Sequence, residues 1–327
     1  MYNKEVMYLD SVRRHVKCLE KEPQKKTAAE PVVELTPFQK AAQERAEMKP
    51  FENSLYWVCG DYAMHYRIDK ASGKEKGKFF LLHGFWMNTM FYDELVEKLN
   101  AEGYTVYRVD MPSFGYSTRE TKGIDYVRPA DVIAKMIADL DDGKGFILYG
   151  HSMGGSVAME VALLAPKHVK ALILNAPMFM RNSNDKQAER FLEPRMVSLL
   201  TTEAKLIQKL NKAIKLFVYV MTWDKDYAKS FDAKRFTAPF ADPDAGESLG
   251  FFTGHVKKPD VKTLKNIKAP VQYVAGSRDL FVNKGAAKKI RKALPKGTDC
   301  RVIKGAGHCF PQAQTDLAVE YMLDFLK

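Results

Sequence analysis

From residue 55 onward the chain alternates between short apolar runs and amphipathic stretches. Tyr62–Ile68 alternates residue by residue like a strand, and Lys78–Leu82 is an apolar run ending in His83-Gly84. Phe91–Asn100 has helical spacing and is closed by Gly103. Tyr104–Val109 reads as a strand ending at Asp110, and Pro129–Leu140 as a helix with its proline where a missing N–H costs nothing. A strand over Gly145–Tyr149, a helix over Ser156–Ala165 and a strand over Val169–Asn175 follow. Such alternation with short connections predicts a parallel sheet covered on both faces. It stops over residues 179–268, which are helical and charged, and returns as a strand at Val271–Ala275, a helix at Lys284–Leu294, a strand at Cys300–Ile303 and a helix at Gln314–Leu326. Upstream, Val6, Leu9, Val12, Val16 and Leu19 mark one amphipathic helix, and Phe38–Glu47 a second beyond several prolines. The expected organisation is an N-terminal helical extension over 1–50, an α/β core over 51–178 and 269–327, and an inserted helical segment over 179–268.

Composition changes this picture little. With 46% hydrophobic and 11% aromatic residues in 327, the chain carries enough apolar surface to fold without staples. Cys18, Cys59, Cys300 and Cys309 show no C-x-x-C spacing, which argues for free thiols rather than a zinc or redox motif. No signal-like apolar run is seen and no stretch reaches membrane-spanning length, so a cytoplasmic protein is expected. Charge is the exception: 51 basic against 40 acidic residues give a net +11, which suggests an anionic partner.

The most informative residues are Gly150-His-Ser-Met-Gly-Gly155, between an apolar strand and a helix. G-x-S-x-G in that context places Ser152 at the apex of a sharp turn, exposed at the carboxyl end of the sheet. The N–H of Met153, at the helix start, can then face a developing oxyanion. A serine hydroxyl needs a base, and the base an orienting group. Both belong after later strands, where open α/β sheets bind substrates. Asp279 follows the strand Val271–Ala275 and His308 follows Cys300–Ile303, so the order is serine, acid, histidine. Asp110 is a rival acid, but ahead of Met111-Pro112 a turn-forming role is the more economical. His151 is expected to face away from the substrate and His83 to brace loops. Gly84 lets its loop double back, so that the Phe85 N–H becomes the second oxyanion donor. No metal-binding cluster and no dinucleotide fingerprint appears, so no cofactor is expected.

With these residues in place, the chain over roughly 55–327 resembles the α/β-hydrolase fold superfamily, and more narrowly the serine hydrolases that include monoacylglycerol lipases and bacterial lysophospholipases. His83-Gly84, Asp110 with Gly115 and Ser117, the Ser152 elbow, Ala275-Gly-Ser-Arg-Asp279 and Gly307-His308 carry the likeness. It implies an acyl-enzyme mechanism and makes 179–268 a cap, or lid, over the site. This chain departs from the pattern at Ser113-Phe-Gly-Tyr-Ser117, where relatives often have Gly-x-Gly-x-Ser, and in the bulky Phe85 and Trp86.

The cap combines apolar and basic character. Trp86, Phe217, Met221 and Trp223 are candidates for a pocket that takes an acyl chain. Residues 179–268 hold seventeen basic and eleven acidic residues, over half the chain's excess. Lys205, Lys209, Lys212 and Lys215 recur at helical spacing, which fits contact with an anionic lipid surface. No nucleic-acid-binding pattern competes. The expected activity is hydrolysis of monoacylglycerol- or lysophospholipid-like acyl esters. Thioester, amide or carbon–carbon bond cleavage and acyl transfer use the same machinery, and a non-catalytic ligand-binding protein of this fold is the remaining alternative.

Overall fold

The structure is a computed structural model, described here over residues 34–178, 211–255, 259–282 and 284–327. Thr36–Lys327 form one compact unit, and Met1–Leu35 another of which only Glu34 and Leu35 are described. The helix expected around Val6–Leu19 lies outside the described residues.

Eight strands form one sheet in the order β1-β2-β4-β3-β5-β6-β7-β8. They are β1 Ser54–Cys59, β2 Tyr62–Asp69, β3 Gly77–Leu82, β4 Tyr104–Val109, β5 Phe146–His151, β6 Val169–Asn175, β7 Val271–Gly276 and β8 Asp299–Ile303. β1 and β2 pair antiparallel, as do β2 and β4, and the remaining pairs are parallel. Central strands buried on both faces need continuous apolar runs. Phe79–Leu82 and Phe146–Tyr149 supply them, buried throughout. Helices Pro129–Leu140, Met153–Leu164 and Lys284–Ala293 share one core layer, and Asp93–Ala101 and Thr315–Phe325 the other. This is the mostly parallel, doubly covered sheet that the sequence predicts.

Pro37–Ala46 is a helix with Thr36 and Gln39 in a reciprocal capping box. It packs on β1 and β2 and buries Ala42. The compact body therefore begins at Thr36, upstream of the expected boundary at residue 50. Arg45 ties the helix to the inserted segment as well: its guanidinium donates to Asp242, at 2.9 Å.

In that segment, helices span Asn211–Thr222, Lys225–Ser230, Ala233–Thr237 and Ala245–His255. Asp224 and Asp232 cap the second and third by accepting from Tyr227 and Arg235 N–H groups. The segment is pinned to the loops and helix beside the sheet by Arg119–Asp242 (3.1 Å), Arg235–Asp93 (3.0 Å) and a bond from Asn88 Nδ2 to the Phe236 carbonyl (3.0 Å). Of the basic run, Lys205 and Lys209 lie outside the described residues, while Lys212 is exposed. Cys59, Cys300 and Cys309 are free thiols, and Cys18 lies outside the described residues. Among the described residues no helix is long and apolar enough to cross a membrane.

Candidate active site

Ser152 stands at the carboxyl end of β5, at φ 54° and ψ −116°. That backbone region is nearly closed to side-chain-bearing residues, and surrounding structure must over-determine it. Three glycines do so by contact. A Cβ on Gly150 would lie 2.5 Å from the Gly154 carbonyl oxygen, and one on Gly154 would lie 2.3 Å from that of Leu82. A Cβ on Gly155 would strike Pro177 at 2.7 Å. The Ser152 N–H donates to the Asn175 carbonyl at 2.9 Å, which ties the apex to the end of β6. The following helix starts at Met153, so its first N–H groups have no acceptor within the helix.

Asp279 and His308 meet. His308 Nδ1 lies 2.8 Å from Asp279 Oδ2, both side chains nearly inaccessible. Asp279 Oδ1 accepts the N–H groups of Phe281 and Val282 at 2.8 and 2.9 Å, which fixes the carboxylate. β7 and β8 can converge on this spot only because Gly276 has no side chain: a Cβ there would lie 2.2 Å from the Ala306 carbonyl oxygen. Among the described residues no hydrogen bond joins Ser152 Oγ to His308; in unliganded sites this contact is often open. The two segments are nevertheless adjacent, because the ring of His151, next to Ser152, is 4.8 Å from the ring of His308.

The loop after β3 abuts the serine. A Cβ on Gly84 would lie 3.2 Å from Ser152 Cβ. The Gly84 carbonyl accepts from His83 Nδ1–H at 2.8 Å and from the Met87 N–H at 3.2 Å. In a trans peptide this turns the Phe85 N–H the opposite way, and that N–H has no acceptor among the described residues. The Met111 N–H donates to His83 Nε2 at 3.0 Å. Thus His83 braces two loops, and burial holds it below the ordinary imidazole value, so it stays neutral.

Asp110 is placed away from this dyad, as a buried anchor. Its Oδ2 lies 2.8 Å from His65 Nδ1 and accepts the Tyr116 N–H at 3.0 Å, while Oδ1 accepts the Thr89 N–H at 2.7 Å. Beyond it, Ser113 holds a left-handed φ of 71°. Its hydroxyl donates to Glu120 at 2.7 Å, and burial pushes that carboxyl up to about 7. The serine thus occupies a conformation that favours glycine, the residue relatives often have there, and its bond to Glu120 is one that glycine could not make.

A cavity of about 260 Å³ opens beside the site. Phe85, Trp86 and Met87 line it from the loop after β3, Phe217, Val218 and Met221 from the helix Asn211–Thr222, and Cys309 from the residue after His308. Met87 Sδ links cavity to serine, since it would sit 3.0 Å from a Cβ on Gly84. The wall is apolar apart from Thr222 and Thr237, whose hydroxyls donate to carbonyls of their own helices. Three of the four expected pocket residues, Trp86, Phe217 and Met221, are on this wall. Trp223 is not: the helix ends at Thr222, and the indole N–H turns outward to the Arg278 carbonyl at 3.0 Å. Phe236 and Phe240, which also line the cavity, escaped sequence reading because neither belongs to a periodic apolar run: Phe236 stands between Arg235 and Thr237, and Phe240 follows Pro239.

Comparison with known proteins decides the family. The profile described as serine aminopeptidase, S33, matches residues 73–312. The chain belongs to this family of α/β-hydrolases. Relatives of this S33 chain are named as esterases: it is 26% identical over 270 residues to a pimeloyl-[acyl-carrier protein] methyl ester esterase of Pseudoalteromonas atlantica, covering 81% of this chain and 100% of the relative. The S33 chain also resembles a solved epoxide hydrolase, with a TM-score of 0.66, 19% identity, and 83% and 97% of the two chains covered. A membrane phospholipase A, described as a bacterial virulence factor, gives 0.64, 19%, and 88% of each chain. At such identities these structures speak to the fold alone.

Proposed function

We propose that this S33-family protein is a serine hydrolase of carboxylic esters that holds a single acyl chain in the apolar cavity. Ser152 Oγ attacks the ester carbonyl, and His308 Nε2 takes its proton and returns it to the leaving alcohol. Asp279 fixes the tautomer that leaves Nε2 free and stabilises the imidazolium. The N–H groups of Phe85 and Met153 bind the oxyanion. Water then releases the acid by the same steps in reverse order of partners. The strained Ser152 apex beside the His308–Asp279 dyad carries the reaction class. The cavity favours monoacylglycerol- or lysophospholipid-like esters, because it is apolar and below the usual range of about 300–1,000 Å³ for ligand pockets.

A series of p-nitrophenyl esters tests the substrate reading. Each methylene buried contributes about 0.8 kcal/mol, so kcat/KM should rise about fourfold per added methylene until the cavity is full. Met221→Trp should move the optimum to shorter chains. A flat profile in both proteins is the outcome that would sink this substrate class.

The source of the substrate is part of the same proposal. Leu216, Phe217 and Leu280 are exposed at 63%, 43% and 65%. Phe217 and Phe281 pack edge to face, 5.9 Å apart, so these exposed residues border the cavity wall, with Lys212 and Arg278 exposed nearby in sequence. Apolar side chains flanked by cations suit an anionic lipid surface. Vesicles containing anionic lipid should raise activity on a long-chain ester, and added salt should reverse the gain. Equal activity with neutral and anionic vesicles would exclude this role for the surface.

A further inference from the structure

His151 precedes Ser152, and its ring is wholly buried. It touches the segments that follow β3, β6 and β8. Its Nδ1 lies 2.7 Å from Asn175 Nδ2, and the main-chain carbonyl of Asn175 accepts the Ser152 N–H. Its Nε2 lies 3.5 Å from the Sγ of Cys309, the residue after His308. Its ring packs on His308 at 4.8 Å, with 54° between the planes. On the remaining side a Cβ on Gly84 would come within 3.0 Å of its Cδ2.

These contacts define its protonation. Asn175 Nδ2 donates to Nδ1, so the proton of the neutral ring sits on Nε2 and is directed at Cys309 Sγ. A second proton, on Nδ1, would confront an N–H group. Burial, reinforced by His308 and His83, holds the imidazole well below its ordinary value. A neutral neighbour is what His308 needs, since a cation there would oppose the imidazolium formed during attack.

We propose that His151 is a positioning residue: with Asn175 and Cys309 it forms a buried strut that sets the plane of the His308 ring relative to Ser152. The inference rests on His308 being the general base. Asp279 restrains that ring through Nδ1 alone, and one hydrogen bond leaves it free to tilt about the bond. Packing against the rings of His151, at 4.8 Å, and Phe281, at 5.4 Å, removes that freedom. One end of the strut, Cys309, also lies on the cavity wall, so an acyl chain in the cavity bears on the same element that holds the base.

The test uses the full chain and a short chromogenic ester, whose acyl group is too small to report cavity volume. His151→Phe fills similar space without either hydrogen bond, and should lower kcat about 10- to 100-fold with KM unchanged, the cost of a misplaced catalytic group. The low-field proton resonance of His308 Nδ1–H should shift or broaden. Cys309→Ala should lower kcat, and Cys309→Ser, which keeps an acceptor for Nε2–H, should restore it to within about twofold of the native protein. A folded His151→Phe with native kcat and an unaltered resonance would overturn the proposal. If that variant does not fold, equal kcat in the two Cys309 variants overturns it instead. Labelling of the native protein with a fluorophosphonate separates the failures. No adduct at Ser152 removes the hydrolase reading and this inference together, whereas an adduct with insensitive variants removes this inference alone.

Discussion

Ser152→Ala is expected to lower kcat on p-nitrophenyl esters about ten-thousand- to million-fold, the range seen when a serine nucleophile is removed. The fold should be untouched. Alanine keeps the Cβ, so the φ of 54° is no more strained than in the native protein, and the Ser152 N–H still donates to the Asn175 carbonyl. Circular dichroism and the unfolding midpoint should therefore match the native protein while turnover and fluorophosphonate labelling vanish. Turnover within tenfold of native in a folded Ser152→Ala protein would mean that another group performs the chemistry.

The second large effect concerns stability. Burial alone would push the Asp110 carboxyl up, but the hydrogen bond and charge of His65, with His83 and the Tyr116 N–H, outweigh it and hold the group below the ordinary carboxylate value. A carboxyl lowered on folding contributes stability that is complete above its unfolded value, about 3.9. That contribution is lost as pH falls through the folded value. The native unfolding midpoint should thus lose the Asp110 contribution only below about pH 4. Asp110→Asn leaves His65 without its buried anion and places an amide where three donors converge, and should cost about 3–5 kcal/mol near neutrality. It should also remove part of the acid slope. Identical pH–stability curves for the two proteins would refute this role for Asp110.

What the chain reveals by itself depends on how local the signal is. The helix Pro129–Leu140 and the strand Val169–Asn175 follow from apolar spacing to the residue, because burial on a sheet or helix face leaves a periodic trace. β1 leaves none: it is an edge strand, half exposed, whose partner β2 is reached through a turn at Gly60. The helix after the elbow starts at Met153 and not at Ser156, because Gly154 and Gly155 weaken helix propensity yet are required by the contacts with Leu82 and Pro177. The placement of Ser152, Asp279 and His308 at the carboxyl end of the sheet is legible, because each follows its own strand. The anchoring of Asp110 is not, since His65 lies 45 residues away and only pairing of β2 with β4 brings it near. Trp223 is the opposite case. It continues an apolar run in sequence, but the run outlasts the helix by one residue.

The inward-turned hydroxyls of Thr222 and Thr237 bear on hydration. An ordered water needs two to four polar partners, and with both hydroxyls donating within their own helices the wall residues keep only one unpartnered donor, the indole N–H of Trp86. The chamber would stay dry between substrates. In the acyl-enzyme proposed above, the hydrolytic water could not be stored behind the acyl chain and would have to enter from the side the alcohol vacates. Departure of the first product would then set when the second can form.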